Sequence, residues 1–428
     1  MKTNWNLKLF NLDLSNLWNV SSGIQPSPHW EQEVGQAWKA FLVRSASGEI
    51  GFFDWPLPQH SDQLSEIDRL AAQFKKNFQS AVCIGIGGSY LGPAALQDIF
   101  NPVPSGNSFQ VQWISNVDSA PLLRAKQLIE NKKSAAVIIS KSGGTTETLA
   151  AWFHLSHHFS KDSVVVITDP EQGELRRLSK QEGWSSLPVP PNIGGRFSVL
   201  TAVGLFPLAL QGVSISELMA GASFMRQILT TLPAHENPAV LYAYSKFLCD
   251  KKGYPVQYLM PYDSRLKLLA DWYVQLWAES LGKKQRNSDQ SVGPNPVSAL
   301  GTSDQHSLLQ LFKEGPAMRI VGFLGAEEAQ SAKVGKPVFS SPDFNFLTPH
   351  TFSQLNLLAS QATEESLKRS HVPTYRFSLA ALDPFTLGAF IFFQETACAV
   401  AGELYGVNAF DQPGVEEAKR ILKAKLTQ

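Results

Sequence analysis

The sequence predicts an α/β protein with two doubly wound subdomains, each built on a mainly parallel sheet, and helical extensions at both ends. Three observations predict it. Short, β-branched apolar runs alternate with segments of helical length, the alternation breaks at an apolar stretch near residue 200 and restarts after residue 250, and glycine-rich polar turns follow the runs where parallel strands would end. Such alternation is the pattern of βαβ units, whose strands lie side by side with helices on both faces.

Taken in order, the first 75 residues (1–75) are rich in Trp and Pro and read as loops and helices, an extension packing on both subdomains. The first subdomain, 76–195, carries the runs 80–86 (SAVCIGI), 110–114 (QVQWI), 135–139 (AAVII) and 164–167 (VVVI). In the second, 196–405, an apolar helix over 199–210 precedes the strand-like runs 256–260 (VQYLM), 318–324 (MRIVGFL) and 374–379 (TYRFSL). Residues 384–405 alternate apolar and small side chains at helical spacing, which predicts a buried helix. Residues 406–428 read as a loop followed by a charged amphipathic helix from Gly414.

Bulk composition narrows the partners. Lys+Arg and Asp+Glu both total 37, so no basic surplus points to nucleic acid or a membrane surface. Cys83, Cys249 and Cys398 lie far apart without CxxC spacing, which argues against a disulfide framework and for small buried thiols in a reducing compartment. The amino terminus scatters charges and Asn through its apolar residues, unlike a signal peptide. The most apolar stretches, 197–210 and 385–400, are interrupted by Pro207 and by Gln394 and Glu395, so they read as core helices rather than spans. A cytoplasmic location is the expectation.

Several constellations carry chemistry. Gly85-Ile86-Gly87-Gly88-Ser89 follows a strand and opens a helix-like run, where free N–H groups and the Ser89 hydroxyl suit an anion; a tight structural turn explains the glycines equally well. Ser140-Lys141-Ser142-Gly143-Gly144-Thr145-Thr146-Glu147-Thr148 puts hydroxyls and a lysine at the carboxyl edge of a buried strand, where ligands bind in such folds. A solvated helix cap is the plainer alternative. Arg196 follows Gly194-Gly195, suited to a developing oxyanion or to an interface salt bridge. Gln275 and Glu279 are four apart and share a helical face; Glu279 beside apolar residues is a candidate general base or one half of a surface Glu–Lys face. His306, in Gln305-His306-Ser307, is by itself more often structural. His154, His157 and His158 have helical spacing but no paired carboxylate or Cys for a metal. Gln412 and Lys419 are offered from the turn and first coils of the terminal helix.

GIGGSYLGP, SKSGGTTET, GGRFSVLT, QLWAESLGK, QHS and FDQPGVEEAK together resemble, in order and spacing from residue 85 to 419, the motif set of the glucose-6-phosphate isomerase (phosphoglucose isomerase) family in its short bacterial form. The resemblance implies two subdomains of the sugar-isomerase type. It further implies reversible conversion of glucose 6-phosphate and fructose 6-phosphate through ring opening and a cis-enediol, within glycolysis and gluconeogenesis. By the same resemblance, Gly88, Ser89, Ser140, Ser142 and Thr145 hold the phosphate with Lys141 close by, and Gln275 and Gln412 position the sugar. Glu279 moves the proton between C2 and C1, Arg196 stabilises the enediolate, and Lys419 sits near the ring oxygen. His306 assists ring opening and comes from the neighbouring subunit of a homodimer. No redox cofactor and no metal are implied. Gly144, Pro191 and Pro413 depart from the family pattern at the phosphate loop and entrance. Two other readings are a non-catalytic sugar-phosphate-binding regulator and an isomerase that also accepts mannose 6-phosphate.

Overall fold

Strands that must be covered on both faces can only be apolar throughout, and this decides where the sheets form. The computed structural model describes residues 1–18, 24–103, 108–326, 331–339 and 342–427. In chain order its strands are β1 (Asn4–Asn6), β2 (Phe10–Asp13), β3 (Ser80–Ile84), β4 (Gln110–Ile114), β5 (Ser134–Ile139), β6 (Val164–Thr168) and β7 (Ser185–Pro188). They continue with β8 (Val256–Pro261), β9 (Lys283–Lys284), β10 (Ser291–Val292), β11 (Asn295–Ser298), β12 (Arg319–Ala326) and β13 (Thr374–Leu379).

The first sheet is parallel throughout, in the order β4-β3-β5-β6-β7. Its central members β3 and β6 are buried along their whole length, and β5 along all but its first residue. The chain steps from β3 outward to β4, then crosses back to β5. At such a reversal the connections leave on opposite faces, and the carboxyl ends of the strands part to form a crevice. The second sheet runs β1-β2-β13-β12-β8-β11, and its four parallel strands repeat the arrangement, with β11 on one side of β8 and β12 then β13 on the other.

The amino-terminal segment corrects the reading of residues 1–75 as loops and helices. β2 pairs antiparallel with β13, and β1 folds back on β2. Trp5, Phe10 and Leu12 are buried while Asn4, Asn6 and Asn11 face solvent, a period-two pattern only three or four residues long. Runs that short fall below the length at which periodicity separates a strand from a loop. The edge strands β7 and β11 also went unforeseen, since Pro188 and Pro296 argue against strands except at an edge. β3 ends at Ile84, leaving Gly85 and Ile86 to the turn, and the helix expected from residue 199 begins at Ala202, capped by Thr201.

Helix Pro384–Tyr405 is the central pillar. Asp383 caps its start by accepting from the Thr386 N–H, Pro384 occupies the first turn, and Gly406 ends it in the left-handed conformation. It is long and apolar enough to cross a membrane, yet 94% of that apolar window is enclosed by the protein. Helix Ile215–Thr231 lies against it backbone to backbone, because a Cβ on Gly388 would stand 1.9 Å from the Leu218 carbonyl oxygen. Cys83, Cys249 and Cys398 are all buried free thiols.

The core also encloses charged side chains, Lys246 and Glu395 among them. Lys246 is fully buried in helix Pro238–Lys251, with its Nζ 3.1 Å from the Trp277 ring centroid and donating to the Tyr273 hydroxyl. Burial holds its pKa well below the usual lysine value. The unfolded chain therefore binds a proton that the folded chain releases, and the cost of burying Lys246 shrinks as pH rises from the depressed folded pKa toward 10.5. Lys246→Met is expected to be more stable than the wild type at pH 7. The gap should close with rising pH at no more than about 1.4 kcal/mol per pH unit, as measured by denaturant unfolding between pH 7 and 10.

Candidate active site

Two loops meet at the crevice of the first sheet. After β3, Gly85 and Ile86 lead into a tight turn, Gly87–Ser89, and then helix Leu91–Phe100. After β5, residues 140–145 lead into helix Thr146–Leu155. Ser140 Oγ and Thr145 Oγ1 lie 2.8 Å apart, and Ser142 Oγ accepts from the Gly144 N–H at 3.4 Å. Ser89 is half-buried and Ser142 exposed, and both stand just before a helix start, where free N–H groups suit an anion. Lys141 is turned the other way, donating to the Pro191 carbonyl at 2.7 Å. Burial lowers its pKa, and Asp169 opposes that shift.

Gly88 fixes how the third motif joins. A Cβ there would lie 2.3 Å from the carbonyl carbon and oxygen of Gly195, so the glycine turn packs directly on the backbone that precedes Arg196. Gln275 approaches the same turn, with its Nε2 3.1 Å from where a Cβ on Gly87 would sit. That side chain comes from helix Lys267–Leu281, which also carries Glu279 one turn later. Gln275 Nε2 donates to Glu279 Oε2 at 3.1 Å, while its Oε1 is buried without a hydrogen-bond partner among the described residues.

Arg196 is the buried hub. Its Nε donates to Ser280 Oγ at 2.7 Å, and Nη1 to Gln412 Oε1 at 2.8 Å, with Glu279 Oε1 at 3.2 Å. Nη2 donates to the carbonyls of Ala409 and, at 3.0 Å, Asp411. A guanidinium has five N–H donors, and each has an acceptor here. Burial pulls the Arg196 pKa down, and the Glu279 carboxylate pulls it back up. The Glu279 side chain keeps 25% exposure, and one edge faces a cleft of about 880 Å³ bordered also by Lys283, Asp411 and Gln412. A carboxylate held by a cation and an amide, with one edge open, can take a proton from a ligand in that cleft.

The structure thus joins Arg196, Gln275, Glu279 and Gln412 in one contact set, with Gly88 packed on the backbone before Arg196 and Ser89, Ser140, Ser142 and Thr145 on the two loops of the first sheet. It turns Lys141 toward Pro191 and leaves two further expected residues outside this set. His306 is exposed in the first turn of helix Gln305–Glu314, beyond β11. It does not border the Glu279 cleft. Lys419 is exposed on helix Glu416–Leu426 and pairs with Glu416 at 2.7 Å; no residue described in that helix is buried. Three contributors were missed. Ser280, Lys283 and Asp411 stand inside motifs already singled out, but a hydrogen bond to a buried guanidinium has no sequence signature.

The family model described as phosphoglucose isomerase matches residues 67–428. The chain belongs to the phosphoglucose isomerase family. Relatives include proteins named glucose-6-phosphate isomerase from Carboxydothermus hydrogenoformans, 37% identical over 93% of this chain and 89% of its own length, and from Rubrobacter xylanophilus, 37% identical over 97% of each. A crystal structure of a hypothetical protein from Thermus thermophilus superposes with a TM-score of 0.88 at 32% identity, covering 98% of this chain and all of its own. The glucose-6-phosphate isomerase of Chlamydia trachomatis superposes with a TM-score of 0.81 over 99% of this chain and 90% of its own; at 19% identity that likeness is one of fold. In this family member the glycine turn and the Gly-Gly-Arg loop are in direct backbone contact. Gly88→Ala is therefore expected to force them apart and lower folding stability by roughly 1–3 kcal/mol, measured by chemical denaturation.

Proposed function

We propose that the protein interconverts glucose 6-phosphate and fructose 6-phosphate by proton transfer through a cis-enediol. The carrying observation is the Glu279 carboxylate, held at 3.2 Å by Arg196 and at 3.1 Å by Gln275, at the carboxyl edge of a sheet whose two loops suit a phosphate. From the open-chain aldose, Glu279 takes the proton on C2. The C2–H electron pair becomes the second C1–C2 bond, and the carbonyl pair moves onto O1. Returning the proton to C1, while the O2 proton passes to O1, completes the ketose. Arg196 supplies fixed positive charge beside the enediolate, which needs no reorganisation during the reaction. The phosphate, held by Ser89, Ser140, Ser142 and Thr145, contributes binding energy that orients the reacting carbons.

The work begins with ring opening, and that assigns the two residues outside the cleft. We place His306 in the site of a neighbouring copy in a homodimer, because its own chain exposes it away from Glu279. Lys419 reaches the ring oxygen once the exposed terminal helix closes over the cleft. The reading places the enzyme in the cytoplasm, in glycolysis and gluconeogenesis, without metal or redox cofactor. The contact among Arg196, Gln275 and Glu279 favours an enzyme over a sugar-phosphate-binding regulator, which needs the phosphate loops and no oriented base.

With EDTA present and fructose 6-phosphate as substrate, a coupled assay for glucose 6-phosphate should show wild-type turnover. Glu279→Gln should lower kcat by roughly 10²–10⁴-fold, the share of a positioned acid–base group. Turnover that survives this change removes Glu279 from its role. The shared site has its own test. Glu279→Gln and His306→Asn proteins, each inactive alone, should regain activity when unfolded and refolded together, because one site of each mixed dimer then has both residues intact. A mixture that stays inactive, with mixed dimers shown to form, places His306 outside the partner's site.

A further inference from the structure

Lys283 lies four residues after Glu279, just past the end of helix Lys267–Leu281, in the short strand β9. Its side chain is only 9% exposed although it borders the cleft. The ammonium donates to the carbonyls of Asn408 and Asp411 and, at 2.8 Å, to the Asp411 carboxylate. An ammonium has three N–H donors, so all are spent on one loop and none is left for a ligand. The Asp411 carbonyl is shared: Arg196 donates to it from inside at 3.0 Å and Lys283 from the cleft side. The other Asp411 carboxylate oxygen accepts from Asn408 Nδ2 at 2.9 Å, and Asn408 Oδ1 accepts from Arg44 at 2.9 Å and from the Phe410 N–H at 3.2 Å.

This arrangement has a consequence for Arg196. Three of its five acceptors, the Ala409 and Asp411 carbonyls and the Gln412 amide, belong to that same loop. A loop in open structure does not keep two carbonyls turned toward a buried cation without opposing anchors. Lys283 is the anchor that stands two residues beyond the helix carrying Glu279, so it ties the seat of the guanidinium to the end of that helix.

We propose that Lys283 is a positioning residue that sets the pose of Arg196 and Gln412 relative to Glu279 by clamping residues 408–411, and that it acts on the reaction through Arg196 rather than by touching the sugar. The proposal rests on the isomerase reading of Arg196 and Glu279. A displacement of about 1 Å at a reacting centre can cost on the order of 10²-fold in rate. Affinity for the sugar phosphate, set largely by the hydroxyl loops of the first sheet, should change little.

The test is a double-mutant cycle on steady-state isomerisation of fructose 6-phosphate, using Lys283→Met, Arg196→Met and the double variant. Lys283→Met is expected to lower kcat by roughly tenfold to 10²-fold with KM nearly unchanged. In the Arg196→Met background the same change should cost little more, because residues acting through one another are non-additive. Asp411→Ala, at a position whose side chain is half exposed, gives a second route should Lys283→Met fail to fold; it should show a smaller kcat loss that also vanishes in the Arg196→Met background. A full additional loss in that background overturns the proposal, since Lys283 would then act independently of Arg196. A defective Arg196→Met beside normal Lys283→Met and Asp411→Ala sinks the clamp and leaves the isomerase reading standing. A normal Arg196→Met removes Arg196 from its catalytic role, and the proposal falls with it.

Discussion

Moving a guanidinium out of water costs several kcal/mol unless its donors are met, and Arg196 meets the requirement by drawing acceptors from distant parts of the chain. The arginine itself follows the first sheet. Ser280 and Glu279 lie on a helix of the second half, and Ala409, Asp411 and Gln412 in the loop before the terminal helix. Satisfying one side chain therefore makes three segments converge, and the same contacts put a fixed positive charge beside a carboxylate. Each lost acceptor would leave a buried donor unmet, at about 1–3 kcal/mol. Stability and chemistry share one set of hydrogen bonds here.

The second constraint is topological. Both sheets repeat the same strand order around a reversal point, and both open a crevice at their carboxyl ends. They differ in what the crevice holds. In the second sheet a cleft of about 650 Å³ contains Arg265 and Arg376, and each is matched within the protein, Arg265 by Asp263 at 2.6 Å and Arg376 by Glu364. In the first, the glycine turn packs on the backbone that precedes Arg196, because Gly88 lets backbone meet backbone at Gly195. A methyl group at that one position would push the glycine turn away from the backbone that precedes Arg196.

The amino-terminal extension serves both ends of this arrangement. Its strands β1 and β2 cover the otherwise open edge of β13, protecting unpaired backbone groups. Its helix Trp30–Ala46 sends Arg44 to Glu403 at 2.5 Å and to Asn408, while Arg286 holds the other Glu403 oxygen at 3.0 Å. Glu403 is nearly enclosed, so this pairing is screened less than a surface bridge would be. It pins the loop that supplies Arg196 with carbonyls to the end of the central helix.

Much of this was legible in the sequence, for reasons that differ by element. β4 and β13 carry the bounds their apolar runs predict, and the helix Pro384–Tyr405 announces both ends through Asp383-Pro384 and Gly406. These signals are local, read within one turn or one strand. β1, β2 and β11 escaped because each is too short or too polar to show a period, and each exists only because a neighbouring strand supplies its hydrogen bonds. Likewise the residue types needed for the site were visible, as hydroxyls, glycines, Arg196, Gln275, Glu279 and Gln412. What the sequence by itself determined was the α/β class, the phosphate-suited loops and the candidate acid–base groups, since those depend on spacing along the chain. Only the tertiary structure decided that Arg196 is buried with every donor engaged, that Lys283 and Asp411 brace it, and that His306 and Lys419 stand apart from Glu279 in one chain. Such contacts join residues separated by more than 80 positions, as Arg196 is from Glu279 and Ser280 and from the loop at Gln412, and no local pattern encodes a distance across the fold.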